Sequence, residues 1–143
     1  MRTVIEKVIL LQDVDVFAEV PTENLAVLAS IADEVSLLDG DTLYRQHDPA
    51  DALYLVLDGR VALRRGDRTI SEAGPGEAFG TWALFDEEPR LVDAEVVADA
   101  TLLRIDRDDF VDLMADHVQI AQGVIKAVAS RLRGLAARDE TEA

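Results

Sequence analysis

Between Val35 and Asp106 the chain is interrupted every few residues by turn signals: Asp39-Gly40-Asp41, Asp48-Pro49, Asp58-Gly59, Gly66-Asp67 and Gly74-Pro75-Gly76. The runs between them are short and either alternating or β-branched. Turn chemistry at that spacing points to a compact β barrel or sandwich. Asp58-Gly59 and Gly66-Asp67 read as hairpin turns, because glycine takes the positive φ that tight turns need. Strands are expected near 35–38, 41–45, 53–58, 60–65, 68–73, 94–98 and 101–106.

Helical periodicity frames this stretch on both sides. Val4, Ile5, Val8, Ile9 and Leu11 fall on one side of a short helix that ends near Asp13. Phe17 is a lone anchor in the connection. A second helix opens at Pro21-Thr22-Glu23, since proline suits a first turn and an early glutamate suits the helix dipole. Leu25, Leu28, Ala29 and Ala32 give it a buried side. Helix resumes at Asp106 or Arg107, with Phe110, Leu113 and Met114 directed at the barrel and a break at Asp116-His117. Beyond the break, Val118, Ala121, Ile125, Val128, Leu132 and Leu135 recur three and four apart, an a/d seam. It is too short to hold a coiled coil alone. Resting on a folded barrel, it can pair two protomers, with Ile120 and Val124 facing the barrel. The other reading is that the whole apolar surface packs inward.

Composition removes several classes of function. The formal charge of −15 argues against nucleic acid, because a duplex binder needs a basic face to displace counterions. The one basic cluster, Lys126, Arg131, Arg133 and Arg138, suits the dipole of a helix end. There is no cysteine, hence no disulfide framework and no thiol chemistry. No stretch is long and apolar enough to span a bilayer. Met1 to Leu11 carries Arg2, Glu6 and Lys7 and lacks a small-residue cleavage site, unlike a signal peptide. A cytoplasmic protein without membrane or nucleic-acid partners is expected. His47 and His117 are the only histidines and lie far apart, so a histidine-based metal centre on a barrel is not expected. No activated serine, phosphate-binding lysine loop or dinucleotide fingerprint is present. Neither catalytic residues nor metal ligands are assigned.

The residues that carry chemistry lie in Gly76-Glu77-Ala78-Phe79-Gly80-Thr81-Trp82-Ala83-Leu84-Phe85-Asp86-Glu87-Glu88-Pro89-Arg90. They read as a strand end, a glycine turn, one helical turn, an acidic loop and an arginine. Gly80 lets the backbone approach an anion closely. The turn from Thr81 to Ala83 would aim unpaired N–H groups at it, and Arg90 would add a planar fork of donors. The stretch resembles the phosphate-binding cassette of the cyclic nucleotide-binding domain family, whose pattern is Phe-Gly-Glu-x-Ala-Leu, a short loop, then Pro-Arg-x-Ala-Thr. Phe79, Gly80, Ala83, Leu84, Pro89 and Arg90 match. Upstream, 51–61 resembles the family's strand-turn-strand segment. Downstream, Leu102 to Asp106 with Asp109-Phe110 resembles its last strand and following helix.

The resemblance implies a mainly β fold with flanking helices: a β-roll, a jelly-roll-like barrel, of the cyclic nucleotide-binding type. It divides the chain into an N-terminal helical segment (1–34), the roll (35–106) with its cassette (76–94), C-terminal helices (107–138) and a disordered tail (139–143). Many relatives of that family continue into a DNA-binding helix-turn-helix; with the sequence read to Ala143, none is expected here. The implied function is regulatory and non-catalytic, with no resident cofactor. The implied ligand is a small phosphate, cAMP or cGMP, held by Gly80, Thr81, Trp82, Ala83, Leu84, Arg90 and Leu91. The implied partner is a second copy or an effector protein met through the seam.

Two departures point to an altered cassette. Thr81 stands where the family has a glutamate that accepts from the ribose 2′-hydroxyl. Losing that charge-assisted bond would cost about 1.5–3 kcal/mol, roughly ten- to a hundredfold in affinity. After Arg90 stand Leu91, Val92 and Asp93, and a pocket-facing Asp93 would repel a phosphate. Weak or lost cyclic nucleotide binding is therefore the first expectation, and an intact sensor the alternative. Individual residues keep two readings. Arg90 either clamps an anion or pairs with Asp86, Glu87, Glu88, Asp93 or Glu95. Thr81 is a weak polar contact or a helix cap. Trp82 covers the pocket or packs under the barrel. His47 stands where relatives carry glycine, and histidine tolerates the positive φ this implies.

Overall fold

The computed structural model describes residues 2–142, with side chains over 2–137. The expectation for 139–143 concerns residues whose side chains lie outside that range. Six strands form one antiparallel sheet: β1 Ala32–Leu37, β2 Thr42–Tyr44, β3 Ala52–Arg65, β4 Arg68–Ala73, β5 Ala78–Phe79 and β6 Asp93–Asp106. Four α-helices flank it in sequence: α1 Val4–Leu11, α2 Thr22–Ala29, α3 Arg107–Asp116 and α4 Val118–Glu142. The expected β fold with helices at both ends of the chain is what forms.

β3 and β6 are the spine. They pair from Ala52↔Asp106 to Arg64↔Asp93, with β1 and β2 on the far edge of β6 and β4 and β5 on that of β3. Ala52 to Leu57 are all buried, a continuous run along one half of β3. The inner cluster combines Tyr54, Val56, Val61, Phe79, Val96 and Leu102.

Asp58-Gly59 is not the hairpin turn expected from its sequence. β3 runs through it, and the register against β6 slips at Val56, Asp58 and Arg60. Gly59 takes φ +88, and a Cβ there would clash with the Asp99 carbonyl oxygen. The glycine therefore marks a bulge where two long strands bend together, not a chain reversal. The expected strands on either side of it are one strand, and so are 94–98 and 101–106. Gly66-Asp67 does form a two-residue hairpin, closing Arg65 onto Arg68.

Residues 30–111 form one compact unit. The second gathers 2–29 with the chain from 112 onward. In the second, Thr3 and Glu6 make a reciprocal capping box at the start of α1. α2 begins where expected and buries Leu25, Leu28 and Ala29. Ala32, assigned from sequence to that helix's buried side, instead opens β1. Val14, Val16, Phe17 and Val20 are all buried around a 3-10 turn at Asp15–Phe17, so Phe17 is not a lone anchor. α4 packs on that turn. The side of α4 carrying buried Ile120 and Val124 also carries Gly123, whose backbone lies against Glu19 and Val20.

Two apolar rows in this unit stay in solvent. On α1 only Leu11 is buried, while Val4, Ile5 and Ile9 are exposed. On α4 the seam residues Val118, Ile125, Leu132 and Leu135 are exposed, Ile125 at 67%, with Ala121 and Val128 half-buried. The reading in which the whole apolar surface of α4 packs inward does not hold.

Candidate anion site

β5 delivers the cassette. Ala78 and Phe79 pair with Leu55 and Tyr54 of β3, which fixes where the chain leaves the sheet. Gly80 follows with φ +71 and opens a 3-10 turn, Thr81–Leu84. Ala83 and Leu84 are buried under it. The Ala83 N–H, one of the amides expected to face an anion, bonds the Gly80 carbonyl at 3.1 Å. Gly80 holds the cap position with no side-chain bond, so Thr81 is not the cap. Trp82 is 55% exposed, edge-on to Phe85 with centroids 6.3 Å apart, and does not pack under the barrel. Leu91 is 70% exposed.

Arg90 is 6% exposed, the one buried charged side chain among the described residues. Its backbone is held from both sides by the turn after β2: Arg90 N–H donates to the Asp48 carbonyl and His47 N–H donates to the Arg90 carbonyl, each at 2.8 Å. That turn is closed by the Asp48 carboxylate, which accepts the Arg45 N–H at 2.9 Å. His47 adopts φ +76, as its place in the sequence implied.

The guanidinium is held by groups that the cassette does not supply. Its Nη2 donates to the Ala52 carbonyl at 2.9 Å. Its central carbon lies 4.0 Å from the centre of the Tyr44 ring, a cation–π stack. A Cβ on residue 80 would meet Nη1 at 2.7 Å, so glycine is required both for its φ and for this approach. Nε is buried and has no hydrogen-bond partner.

Four of the acids near Arg90 in sequence are engaged elsewhere. Glu87 pairs with Arg107 at 3.1 Å and Glu95 with Arg64 at 3.5 Å. Asp86 accepts the Glu88 N–H at 3.2 Å. Asp93 accepts the Gln46 N–H at 2.7 Å, which ties β6 to the turn that grips Arg90. The carboxylate that does reach Arg90 is Asp51, at 3.5 Å and 60% exposed. It is shared with Arg104 at 3.4 Å, which also pairs with Asp106 and donates to the Tyr54 hydroxyl. An exposed, shared carboxylate at that distance offsets only part of a buried charge.

Around this charge the wall is aromatic. Tyr54 stacks on Phe79 with centroids 5.5 Å apart, and Tyr44 lies 6.3 and 6.4 Å from the two. Burial raises the Tyr44 phenol above its ordinary pKa, against the opposing pull of Arg90. Sequence reasoning missed Tyr44, Tyr54, Asp51 and the Ala52 carbonyl. They meet Arg90 through strand register, which no local motif encodes. On the outer side, Phe85 lies edge-on to buried Phe110 of α3 at 6.0 Å, and the Glu87–Arg107 pair joins the same two segments. Among the described residues no cluster of His, Cys, Asp or Glu could hold a metal ion, and no helix is long and apolar enough to cross a membrane.

Comparison with known proteins places this geometry. The family model for the cyclic nucleotide-binding domain matches residues 34–117. The N-terminal domain of a transcriptional regulator from Streptomyces coelicolor A3(2) superposes with a TM-score of 0.83 at 32% identity, over 88% of this chain and 94% of that one. A CRP-like cAMP-activated global transcriptional regulator of Mycobacterium tuberculosis is 27% identical over 123 residues, 82% of this chain and 55% of that protein. Lysophospholipase nte1 of Aspergillus fumigatus is 35% identical over 108 residues, which are 72% of this chain but 7% of the enzyme. The chain thus spans about half the length of the regulator and a small segment of the lysophospholipase.

Proposed function

The chain belongs to the cyclic nucleotide-binding domain family, and on that premise we propose that it is a non-catalytic regulatory module whose roll takes a small anion at Arg90 but holds cyclic nucleotide weakly. The observation that carries this is the state of Arg90: a buried guanidinium, clear of the cassette acids, with Nε unpartnered. A buried charge without full compensation is costly to keep, and an anion supplies what is missing. Weak nucleotide binding follows from Thr81, whose short neutral side chain replaces the carboxylate that relatives offer to the ribose.

Output runs through the helices. The loop from Phe85 to Glu87 contacts the first turns of α3 through Phe110 and Arg107, so a shift of the loop on anion binding would be felt there. The exposed seam of Val118, Ala121, Ile125, Val128, Leu132 and Leu135 joins two copies or docks an effector protein. The module works in the cytoplasm and contacts neither membrane nor nucleic acid itself.

The second reading, a full-affinity cAMP or cGMP sensor, is favoured by the same free Nε. Calorimetric titration separates the two. Weak binding that Arg90→Ala abolishes and Thr81→Glu tightens roughly ten- to a hundredfold supports the first. Tight binding by the wild type supports the second. No heat and no change in melting temperature at high nucleotide concentration removes the sensor reading and leaves a module that has lost its cyclic nucleotide and acts through the seam alone.

A further inference from the structure

We propose that Tyr44, which lies on β2 outside the cassette, positions the Arg90 guanidinium for its anion through the flat contact of its ring. The inference rests on the reading of Arg90 as the anion-binding group. An arginine side chain has many rotamers, and a useful fork must be held in one plane. The two shortest contacts on that plane come from Ala52 and Tyr44, beside a longer edge bond to Asp51 and the Tyr54 ring at 6.0 Å. The Ala52 carbonyl fixes one corner through Nη2 at 2.9 Å. The Tyr44 ring fixes the face, with the guanidinium carbon 4.0 Å from its centre. Removing the second would take away the face contact and leave the plane to the edge bonds of Nη2, to Ala52 and to Asp51.

The geometry also separates support from competition. Oxyanions meet a guanidinium in its plane, at the N–H edges, whereas an aromatic ring meets its face. Tyr44 therefore compensates the buried charge without occupying the edge on which Nε stands unpartnered. Asp51, by contrast, approaches an edge donor, Nη2, at 3.5 Å.

Tyr44 is itself held in place. Its ring lies against Tyr54 and Phe79. The pairing of β2 with β6 is irregular between Thr42 and Tyr44. The turn that follows at once, through His47 and Asp48, bonds the Arg90 backbone on both sides. One segment, 44–48, thus grips the arginine by its main chain and by its side chain. It is the ring and not the hydroxyl that makes the contact, so phenylalanine should serve and leucine should not.

The test titrates cAMP by calorimetry into wild type, Tyr44→Phe, Tyr44→Leu and Arg90→Ala, with melting temperatures to confirm folding. Leucine is expected to weaken binding about tenfold, and phenylalanine to restore most of that loss. Wild-type affinity in Tyr44→Leu, with Arg90→Ala inactive, overturns the proposal. A second readout stands apart from ligand: the Arg90 Nε–H resonance, moved upfield by ring current in wild type and Tyr44→Phe and released in Tyr44→Leu. If no protein binds cAMP, the anion reading is what fails. The proposed role of Tyr44 in positioning Arg90 for an anion then falls with it, and the resonance reports the stack alone: an unmoved signal in Tyr44→Leu overturns the contact itself. Should Tyr44→Leu not fold, Tyr44→Met takes its place in both measurements.

Discussion

Two apolar patterns of similar regularity end on opposite sides of the solvent boundary. Along β3, Ala52 to Leu57 vanish into the roll. Along α4, Val118, Ile125, Leu132 and Leu135 repeat at helical intervals and remain in water. The difference is one of partners. β3 has β6 paired along nearly its whole length and a cluster of inner side chains beneath it. α4 spends one side, at Gly123 and Val124, on the Asp15–Val20 connection and leaves the seam over. A buried row reports on folding; an exposed row at a/d spacing is what the proposed docking of α4 rests on.

The sharpest way to break that contrast is to cut the buried row. Leu55→Ala should lower unfolding stability by about 2–5 kcal/mol, since the cavity cannot be refilled in a close-packed core. A loss under about 1 kcal/mol in chemical denaturation would mean the roll is not packed as described. Next is Gly59→Ala, which places a side chain at φ +88 and against the Asp99 carbonyl. It should cost about 2–4 kcal/mol, and a neutral result would show that the bulge relaxes freely.

The exposed row predicts the reverse pattern. Ile125→Lys with Leu132→Lys should change the stability of a single chain by no more than about 0.5 kcal/mol. The same pair should lower the mass seen by sedimentation from two chains to one, if the seam joins copies as proposed. Wild type sedimenting as one chain at every concentration would leave the seam to an effector.

The smallest effect belongs to Tyr44, whose ring packs against the roll's inner cluster. Because burial raises the Tyr44 phenol in the folded chain, both states hold the proton below the ordinary tyrosine value of about 10. Above it the unfolded chain releases its proton first, so stability falls as pH climbs towards the folded value. Tyr44→Phe should flatten that alkaline decline in melting temperature. An identical decline in both proteins would place the ring in water.

How much of this was legible beforehand depends on the range of the interaction involved. The Gly66-Asp67 hairpin, the α3–α4 break at Asp116-His117 and the opening of α2 at Pro21-Thr22 are set within a few residues, and they form where the sequence puts them. Gly59 was legible as a positive-φ glycine but not as a bulge, because turn and bulge make the same local demand and differ only in what lies across the strand. The site divides in the same way. Gly80 and Arg90 could be read from their spacing, whereas Tyr44, Asp51 and the Ala52 carbonyl come to Arg90 from 38 to 46 residues away.

By itself the sequence determined the class of fold, the flanking helices and the family, and it singled out the arginine on which the proposed anion chemistry turns. Periodicity, turn residues and a contiguous motif act over a handful of residues and survive in one dimension. Only the folded chain decided that the cassette acids stay off Arg90, that a tyrosine from another strand lies over it, and that the α4 seam is left in solvent. Those outcomes depend on register and on competition among distant groups for the same space, and a linear pattern does not record who wins.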